Sequence, residues 1–291
     1  MAKLPEQIFK YVGSDRIDIL EKLLIRFTQP SCFNDPFEMR LSIDGYDPEK
    51  LDKAPERVNR RRYRRFVLSG GGGKLSYEEF ERIQNNHNQA TTERLKSDPT
   101  YRKQIAIARD FGNWNSEVGI LSLSAAEKNL LMWAHYADSH RGMLIEFDPK
   151  RPFFNAPNRS DAEFDFGMLT EVAYSKNRPQ KHVEKTSPIE EISILKIKSD
   201  EWIKEQEWRV YQLLEKRDEQ ITNGNETVYL FKLPPDCIKR VVVGYNMDYR
   251  NRKRVVDTIK RNPKLKGVKI EGSILNLDLF SLEYQALPPL Y

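Results

Sequence analysis

The stretch Trp202-Ile-Lys-Glu-Gln-Glu-Trp-Arg-Val-Tyr211 decides how the rest of the chain is interpreted. From Glu207 onward it is typical of a β-strand, so Glu205 and Glu207 stand together where that strand begins. Alternate side chains of a strand share a face, and both carboxylates can therefore point into one cleft. A carboxylate is costly to bury unless it is paired or used, and Arg209 offers a counter-charge. Two interpretations stay open: a functional cleft, or a solvated strand edge with an ion pair.

The composition indicates a soluble protein with a sizeable core. Of the 291 residues, 39% are hydrophobic and 31% charged, with a net charge of +5. The sequence contains no run of about 18 apolar residues, so no membrane span is predicted. The start of the chain also lacks the apolar region of a signal peptide. The two cysteines, Cys32 and Cys237, do not form a disulfide framework. We therefore expect a cytoplasmic protein with no membrane partner.

Strands and helices are predicted in irregular alternation on both sides of the opening stretch. The predicted strands cover residues 7–12, 24–28, 117–124, 143–147, 170–174, 207–213, 227–233, 238–244 and 268–271, and the helices 16–23, 128–137, 188–197 and 248–261. Many strands with helices at uneven intervals favour the α+β class over a doubly wound sheet.

Residues 47–113 differ from the rest because they are strongly charged and predicted to be helical. We interpret them as an arginine-rich insertion into a core domain formed by residues 1–46 and 114–291, with a flexible hinge at the glycine run 70–73. Its candidate nucleic-acid-binding residues are Arg60, Arg61, Arg62, Arg64 and Arg65. Such a cluster can contact phosphates, although a solvated helix face is the plainer alternative. The glycine run is not a P-loop, because Leu75 replaces the required Ser or Thr.

The segment Asn129-Leu-Leu-Met-Trp-Ala-His-Tyr-Ala137 carries three groups able to bind a ligand. Trp133 and Tyr136 are three residues apart, so on a helix they share a face, whereas His135 points elsewhere. Plain core packing is the alternative for Trp133. No metal site is predicted, because the four histidines form no i,i+4 pair.

Several motifs resemble a widespread bacterial family known only as a domain of unknown function. They are Ile8-Phe-Lys-Tyr11, Phe33-Asn-Asp-Pro-Phe-Glu38, Leu123-Ser124, Met132-Trp-Ala-His-Tyr-Ala137, Val172-Ala-Tyr174 and Glu205-Gln-Glu-Trp-Arg209. They run through the chain from end to end except in the insertion. This resemblance implies no activity.

A more distant resemblance, to the ADP-ribosyltransferases, does imply one. Those enzymes hold NAD in the cleft of a split antiparallel or mixed sheet with flanking helices, using a first-strand Arg or His, a Ser-x-Ser run or a following Tyr, and a Glu at a strand start. This chain offers similar pieces in the same order: Lys10 and Tyr11, then Ser122, Ser124 and Tyr136, then Glu205 and Glu207. It departs from the pattern in the first strand, where Lys10 or Tyr11 replaces the Arg or His.

The resemblance implies a role for each candidate residue. Glu207 would stabilise the cationic ribose of the transition state, and Glu205 would activate the acceptor as a general base. Tyr136 and Trp133 would stack on the nicotinamide, with His135 beside them. The remaining residues implied to bind NAD are Asn34 and Asp35 in the cleft loop and Arg209, which would orient Glu207 or bind pyrophosphate.

Three functions therefore stay open at this level. The first is an NAD-dependent ADP-ribosyltransferase or NAD glycohydrolase, as in a bacterial toxin or phage-defence effector, with an RNA, DNA or protein acceptor. The second is a nucleic-acid-binding or nucleolytic protein that uses the basic insertion. The third is an interaction module without catalysis.

Overall fold

The computed structural model describes residues 4–40, 42–44, 63–64, 66–67, 75–155, 166–182, 195–224 and 226–287. The chain divides into two compact units. The larger comprises Met1–Arg40, Phe111–Pro179 and Pro188–Tyr291, and the smaller comprises Leu41–Asp110 and Gln180–Ser187.

The larger unit is built on a mixed sheet. In chain order its strands are β1 (Ile8–Val12), β4 (Val118–Ser124), β5 (Met143–Phe147), β6 (Thr170–Glu171), β10 (Glu207–Leu213), β13 (Ile238–Val243), β14 (Lys269–Leu275) and β15 (Leu282–Ala286). Among the described residues they are ordered β15-β14-β13-β5-β1-β4-β10-β6. Within this sheet, as far as the structure describes it, only the β13–β14 pair is parallel. The predicted α+β class, with a mixed sheet and several helices, is confirmed.

In its described ranges this unit also contains two smaller sheets and four short or medium helices. The strands β2 (Leu24–Phe27), β11 (Glu219–Asn223) and β12 (Glu226–Lys232) form one sheet, and β7 (Ala173–Ser175) pairs with β9 (Ile197–Ser199). The helices are α1 (Asp18–Lys22), α4 (Leu130–Tyr136), α5 (Pro152–Asn155) and α6 (Tyr249–Arg261).

Alternation along the strands places apolar side chains on both faces of the large sheet. In β1, Ile8 and Val12 join the main core, whereas Phe9 and Tyr11 join a second cluster around Trp133. Such two-sided burial is expected of central strands that are covered on both faces. All five residues of β5 are likewise buried.

The smaller unit contains the helix α2 (Tyr77–Ser97). A capping box formed by Ser76 and Glu79 stabilises its N-terminus. The strands β3 (Ser42–Asp44) and β8 (Gln180–His182) pair in parallel. A further helix, α3 (Pro99–Glu117), has residues in both units. Within the described parts of the chain, no helix is long and apolar enough to cross a membrane.

Parts of the predicted insertion cannot be compared with the structure. Arg60, Arg61, Arg62 and Arg65 and the glycine run 70–73 lie outside the described residues. Arg64 is described and exposed.

Gly142 lies where the backbone packs most closely. A Cβ at this position would overlap the carbonyl oxygen of Val12, whereas a Cβ at Gly112, in α3, would meet nothing within 4 Å. We expect Gly142→Ala to lower the free energy of unfolding by about 1–3 kcal/mol, because neighbouring strand backbone must move. Gly112→Ala should raise it by about 0.5–1 kcal/mol through helix propensity. Urea denaturation of both variants measures the difference, and equal midpoints would contradict it.

Candidate active site

The register of the sheet brings the predicted site residues of β4 and β10 together. Glu207 lies directly opposite Ser124, and Arg209 opposite Ser122. On the next strand, Phe9 also pairs with Ser124. Directly paired residues of neighbouring strands share a face, while Trp208 and Val210 point to the main core on the other side.

A pocket of about 340 Å³ opens on this face. Its walls combine aromatic and apolar side chains with several charged groups. Aromatic walls with polar groups are typical of sites for small ligands, and the volume is at the small end of their range of about 300–1,000 Å³. The lining residues are Phe9, Lys10, Tyr11, Thr28, Cys32, Phe33, Asn34, Glu38, Ser122, Leu123, Ser124, Met132, His135, Tyr136, Lys198, Glu205 and Glu207.

Both carboxylates of the opening motif are buried in an ion-paired cluster. The Lys198 ammonium lies 2.6 Å from a carboxylate oxygen of Glu205 and 3.0 Å from one of Glu207. Arg209 donates to both oxygens of Glu207, from Nε at 2.7 Å and from Nη2 at 2.9 Å. The predicted ion pair therefore exists, but it lies inside the protein rather than at a solvated edge, since the Glu207 side chain is only 5% exposed.

The Asn-Asp-Pro-Phe-Glu loop adds a third carboxylate to this cluster. Glu38 contacts Arg209 and lies 3.9 Å from the Lys198 ammonium. Asp35 accepts a hydrogen bond from the Phe37 backbone N–H at 2.8 Å, which fixes the turn leading to Glu38. Among the described residues the ion-paired cluster thus contains three carboxylates and two cations.

Tyr136 links the helix α4 to the carboxylates. Its hydroxyl donates to Glu205 Oε1 at 2.6 Å and accepts from Asn34 Nδ2 at 3.2 Å. Burial and the hydrogen bond to Glu205 raise the pKa of Tyr136, so the phenol stays protonated and acts as a donor. Tyr174 plays a comparable part for the backbone, because its hydroxyl accepts the Glu207 N–H at 2.8 Å.

Burial and charge set the protonation of the other groups. Burial lowers the pKa of Lys198, but the Glu207 and Glu205 carboxylates more than offset this and raise it. Burial raises the pKa of Glu207, and the Lys198 ammonium acts against that rise. Burial lowers the pKa of Lys10 to about 8, and its ammonium donates to the Ser122 carbonyl at 2.8 Å.

Ser124 and Tyr11 line the pocket, but their hydroxyl groups are engaged in the protein itself. The Ser124 hydroxyl donates to the Glu205 carbonyl at 2.6 Å, and the Tyr11 hydroxyl lies 2.6 Å from the Ala126 carbonyl. These bonds hold the chain on either side of the carboxylates. His135 lines the pocket as well.

The structure does not bring Trp133 to the pocket. This side chain is fully buried between Tyr11, His140 and Tyr284, and its Nε1 donates to the Tyr284 hydroxyl at 3.0 Å. The expectation that Trp133 stacks on a nicotinamide is corrected here: of the two helix residues predicted to share that role, only Tyr136 lines the pocket. Among the described residues, no group of three or more His, Cys, Asp or Glu could hold a metal ion.

Glu205 and Glu207, but not Glu38, lie in a segment that is similar to a known family. Residues 132–210 match the family described as "Protein of unknown function (DUF2971)". The resemblance to a domain of unknown function is thereby confirmed over this segment, which runs from α4 to the middle of β10. No curated protein and no solved structure matches the chain.

The matched segment also contains Lys198, one of two charged site residues that were not predicted. Lys198 lies on β9, one residue beyond the end of the helix predicted over residues 188–197. Nothing in its local sequence distinguishes it from other lysines. Glu38, also missed, ends the quoted Phe33-Asn-Asp-Pro-Phe-Glu38 motif, so the motif itself was the available signal.

Proposed function

We propose that this pocket binds the nicotinamide-ribose half of NAD and that its residues cleave the bond between nicotinamide and ribose. The protein would then act as an ADP-ribosyltransferase or an NAD glycohydrolase. One observation carries the proposal. Glu205 and Glu207, one residue apart along the chain, line the same aromatic-walled pocket, and the Tyr136 hydroxyl is bonded to one of them.

The chemistry of the pocket suits a cationic ring attached to a sugar. Phe9, Phe33 and Met132 offer apolar surface for a flat heterocycle, and carboxylates attract its positive charge. Lys10 also lines the pocket, so three cations balance the three carboxylates, and a cationic ring is attracted by the nearness of Glu205 and Glu207 rather than by net charge. The small volume suits one half of the dinucleotide, with the adenosine half extending outward.

In the proposed reaction, the bond between ribose C1′ and the nicotinamide nitrogen breaks and its electron pair leaves with nicotinamide. The ribose then carries oxocarbenium charge, which the Glu207 carboxylate stabilises. Water or an acceptor group attacks C1′, and Glu205 accepts the proton that the nucleophile releases. Arg209 orients Glu207 through its two hydrogen bonds.

The remaining functional expectations depend on this activity or on residues outside the described ranges. We propose a cytoplasmic protein whose acceptor is RNA, DNA or protein, and a role as a toxin or phage-defence effector. The alternative of a nucleic-acid-binding or nucleolytic insertion depends on Arg60–Arg65 and remains a prediction.

An assay for nicotinamide release tests the proposal. Wild-type protein incubated with NAD should release nicotinamide, and the double variant Glu205→Gln/Glu207→Gln should not. The matched control is Glu21→Gln, since Glu21 also receives two hydrogen bonds from one arginine, Arg254, both at 2.6 Å, but away from the pocket. It should retain the wild-type rate. No release by the wild type, or equal release by the double variant, would refute the proposal.

A further inference from the structure

A second concave surface of the larger unit, which we call the lysine cleft, has a volume of about 950 Å³. Five exposed lysines line it, and they come from four separate segments of the chain. They are Lys128 before α4, Lys239 on β13, Lys264 and Lys266 after α6, and Lys269 at the start of β14.

The carboxylates of the lysine cleft are held by arginines rather than by these lysines. Arg240 pairs with Glu127, Glu146 and Glu271 through its three nitrogens. These hydrogen bonds raise the pKa of Arg240 despite its burial. Arg151 pairs with Asp148 and Asp236, each at 3.4 Å. Within the described ranges, none of the five lysines is in an ion pair. The Lys128 ammonium lies 5.3 Å from the centre of the Tyr284 ring, which leaves the ammonium groups of the other four available to a ligand.

The segment that carries Lys264 and Lys266 has a defined backbone. Asn262 accepts the Lys264 N–H at 3.0 Å, and Leu265, between the two lysines, is buried. Backbone bonds from Lys266 to Pro263 and from Val268 to Leu265 close the turn. The two ammonium groups are therefore presented from an anchored turn, at a low entropic cost to the backbone on binding.

We propose that the lysine cleft binds the phosphate backbone of a single-stranded nucleic acid. A single phosphate is usually bound by converging donors, often backbone N–H groups. Here the cations are separate flexible point charges around an open cleft, which suits a chain of phosphates. A flat anionic membrane fits a concave surface less well.

The lysine cleft and the pocket share a wall. The hydroxyl of Tyr11, which lines the pocket, lies within hydrogen-bond distance of the Ala126 and Glu127 carbonyls, and that of Tyr284, which lines the cleft, donates to the Glu127 carbonyl at 2.7 Å. The segment 126–128 therefore separates the two. If the proposed NAD reaction holds, a nucleic acid bound in the cleft would lie beside the pocket and could act as the acceptor. Binding of the nucleic acid itself requires no NAD.

Anisotropy of short labelled single-stranded RNA and DNA, without NAD, tests the inference. The double variant Lys264→Gln/Lys266→Gln should bind about tenfold more weakly than the wild type at low salt. Its slope of log affinity against log salt should be shallower by about 1.4, since each phosphate contact contributes about 0.7. Both lysines are exposed, so the fold should be retained.

The control removes the same charge from lysines outside the cleft. Lys232 pairs with Asp218 at 3.2 Å and Lys253 with Asp257 at 3.0 Å, and Lys232→Gln/Lys253→Gln should bind as the wild type does. The proposal is overturned if the wild type binds neither nucleic acid, if both double variants lose the same affinity, or if only anionic phosphatidylserine vesicles bind. Because NAD is absent, this result is independent of the nicotinamide assay.

Discussion

Replacing Glu207 with glutamine is expected to lower the rate of nicotinamide release from NAD by a factor of about 100 to 1,000. Glutamine has nearly the same shape and can still accept a hydrogen bond from Arg209, so the pocket keeps its form. It cannot supply the negative charge that stabilises the oxocarbenium ion. Because that charge develops only in the transition state, kcat should fall much more than KM changes.

Two comparisons separate loss of chemistry from loss of folding. Glu21→Gln, which removes a carboxylate from another arginine pair, should retain the wild-type kcat. Glu205→Gln should slow nicotinamide release less than Glu207→Gln does, because Glu205 acts on the nucleophile after the bond has begun to break. A Glu207→Gln protein with an intact thermal midpoint and an unchanged kcat would exclude Glu207 from the reaction.

Strand periodicity is the part of the site that the sequence alone could predict. Alternation predicted that Ser122 and Ser124 share a face, and both line the pocket. Glu205 and Glu207 line it too, but alternation does not explain this, because Glu205 ends a 3-10 helix and Gln206 has a left-handed backbone. The strand Glu207–Leu213 has the predicted bounds. This works because a period of two is a local property of extended backbone.

Register and long-range packing could not be predicted in the same way. The pairing of Glu207 with Ser124 depends on how β4 and β10 align across the 82 residues between them, and nothing local fixes that alignment. Lys198 enters the site from β9, a strand that was not predicted and that begins where the helix predicted over residues 188–197 was expected to end. When a charged side chain is buried by partners that are distant in sequence, its neighbours along the chain do not indicate that it is buried.

Helical spacing gave only part of the answer for α4. Trp133 and Tyr136 are three residues apart, which predicts neighbouring positions on one helix face. The helix has only seven residues. Trp133 is fully buried in the second apolar cluster, whereas Tyr136 is partly buried where that cluster borders the pocket. Three residues turn the helix by about 300°, which leaves the two side chains about 60° apart around its axis. That angle is enough for them to enter different environments.

Replacing Lys198 with methionine is expected to lower the free energy of unfolding by about 3–5 kcal/mol, because breaking a buried ion pair leaves charge without compensation. Methionine has a similar length and no charge. The Lys198 side chain is 4% exposed and contacts Glu205 and Glu207. Without it, three buried carboxylates would share Arg209 alone. Urea denaturation of both proteins measures the loss.

The pH dependence of this loss gives the cluster a distinctive signature. The carboxylates raise the pKa of Lys198, so the wild type keeps this stabilisation below the ordinary lysine pKa and loses it only in strongly alkaline solution. In Lys198→Met the folded state can relieve repulsion by binding a proton, so it binds more protons than the unfolded state and its stability falls as pH rises. The difference between the two proteins should therefore be larger at about pH 8 than at about pH 5.

The control for this variant is an exposed lysine that also forms an ion pair. Lys232, whose side chain is 80% exposed, lies 3.2 Å from Asp218, and Lys232→Met should cause no measurable change at either pH, because solvent screens exposed pairs. A Lys198→Met protein as stable as the wild type would show that the carboxylates reach solvent or already hold protons. In that case Glu207 could not provide the buried negative charge on which the proposed bond cleavage depends.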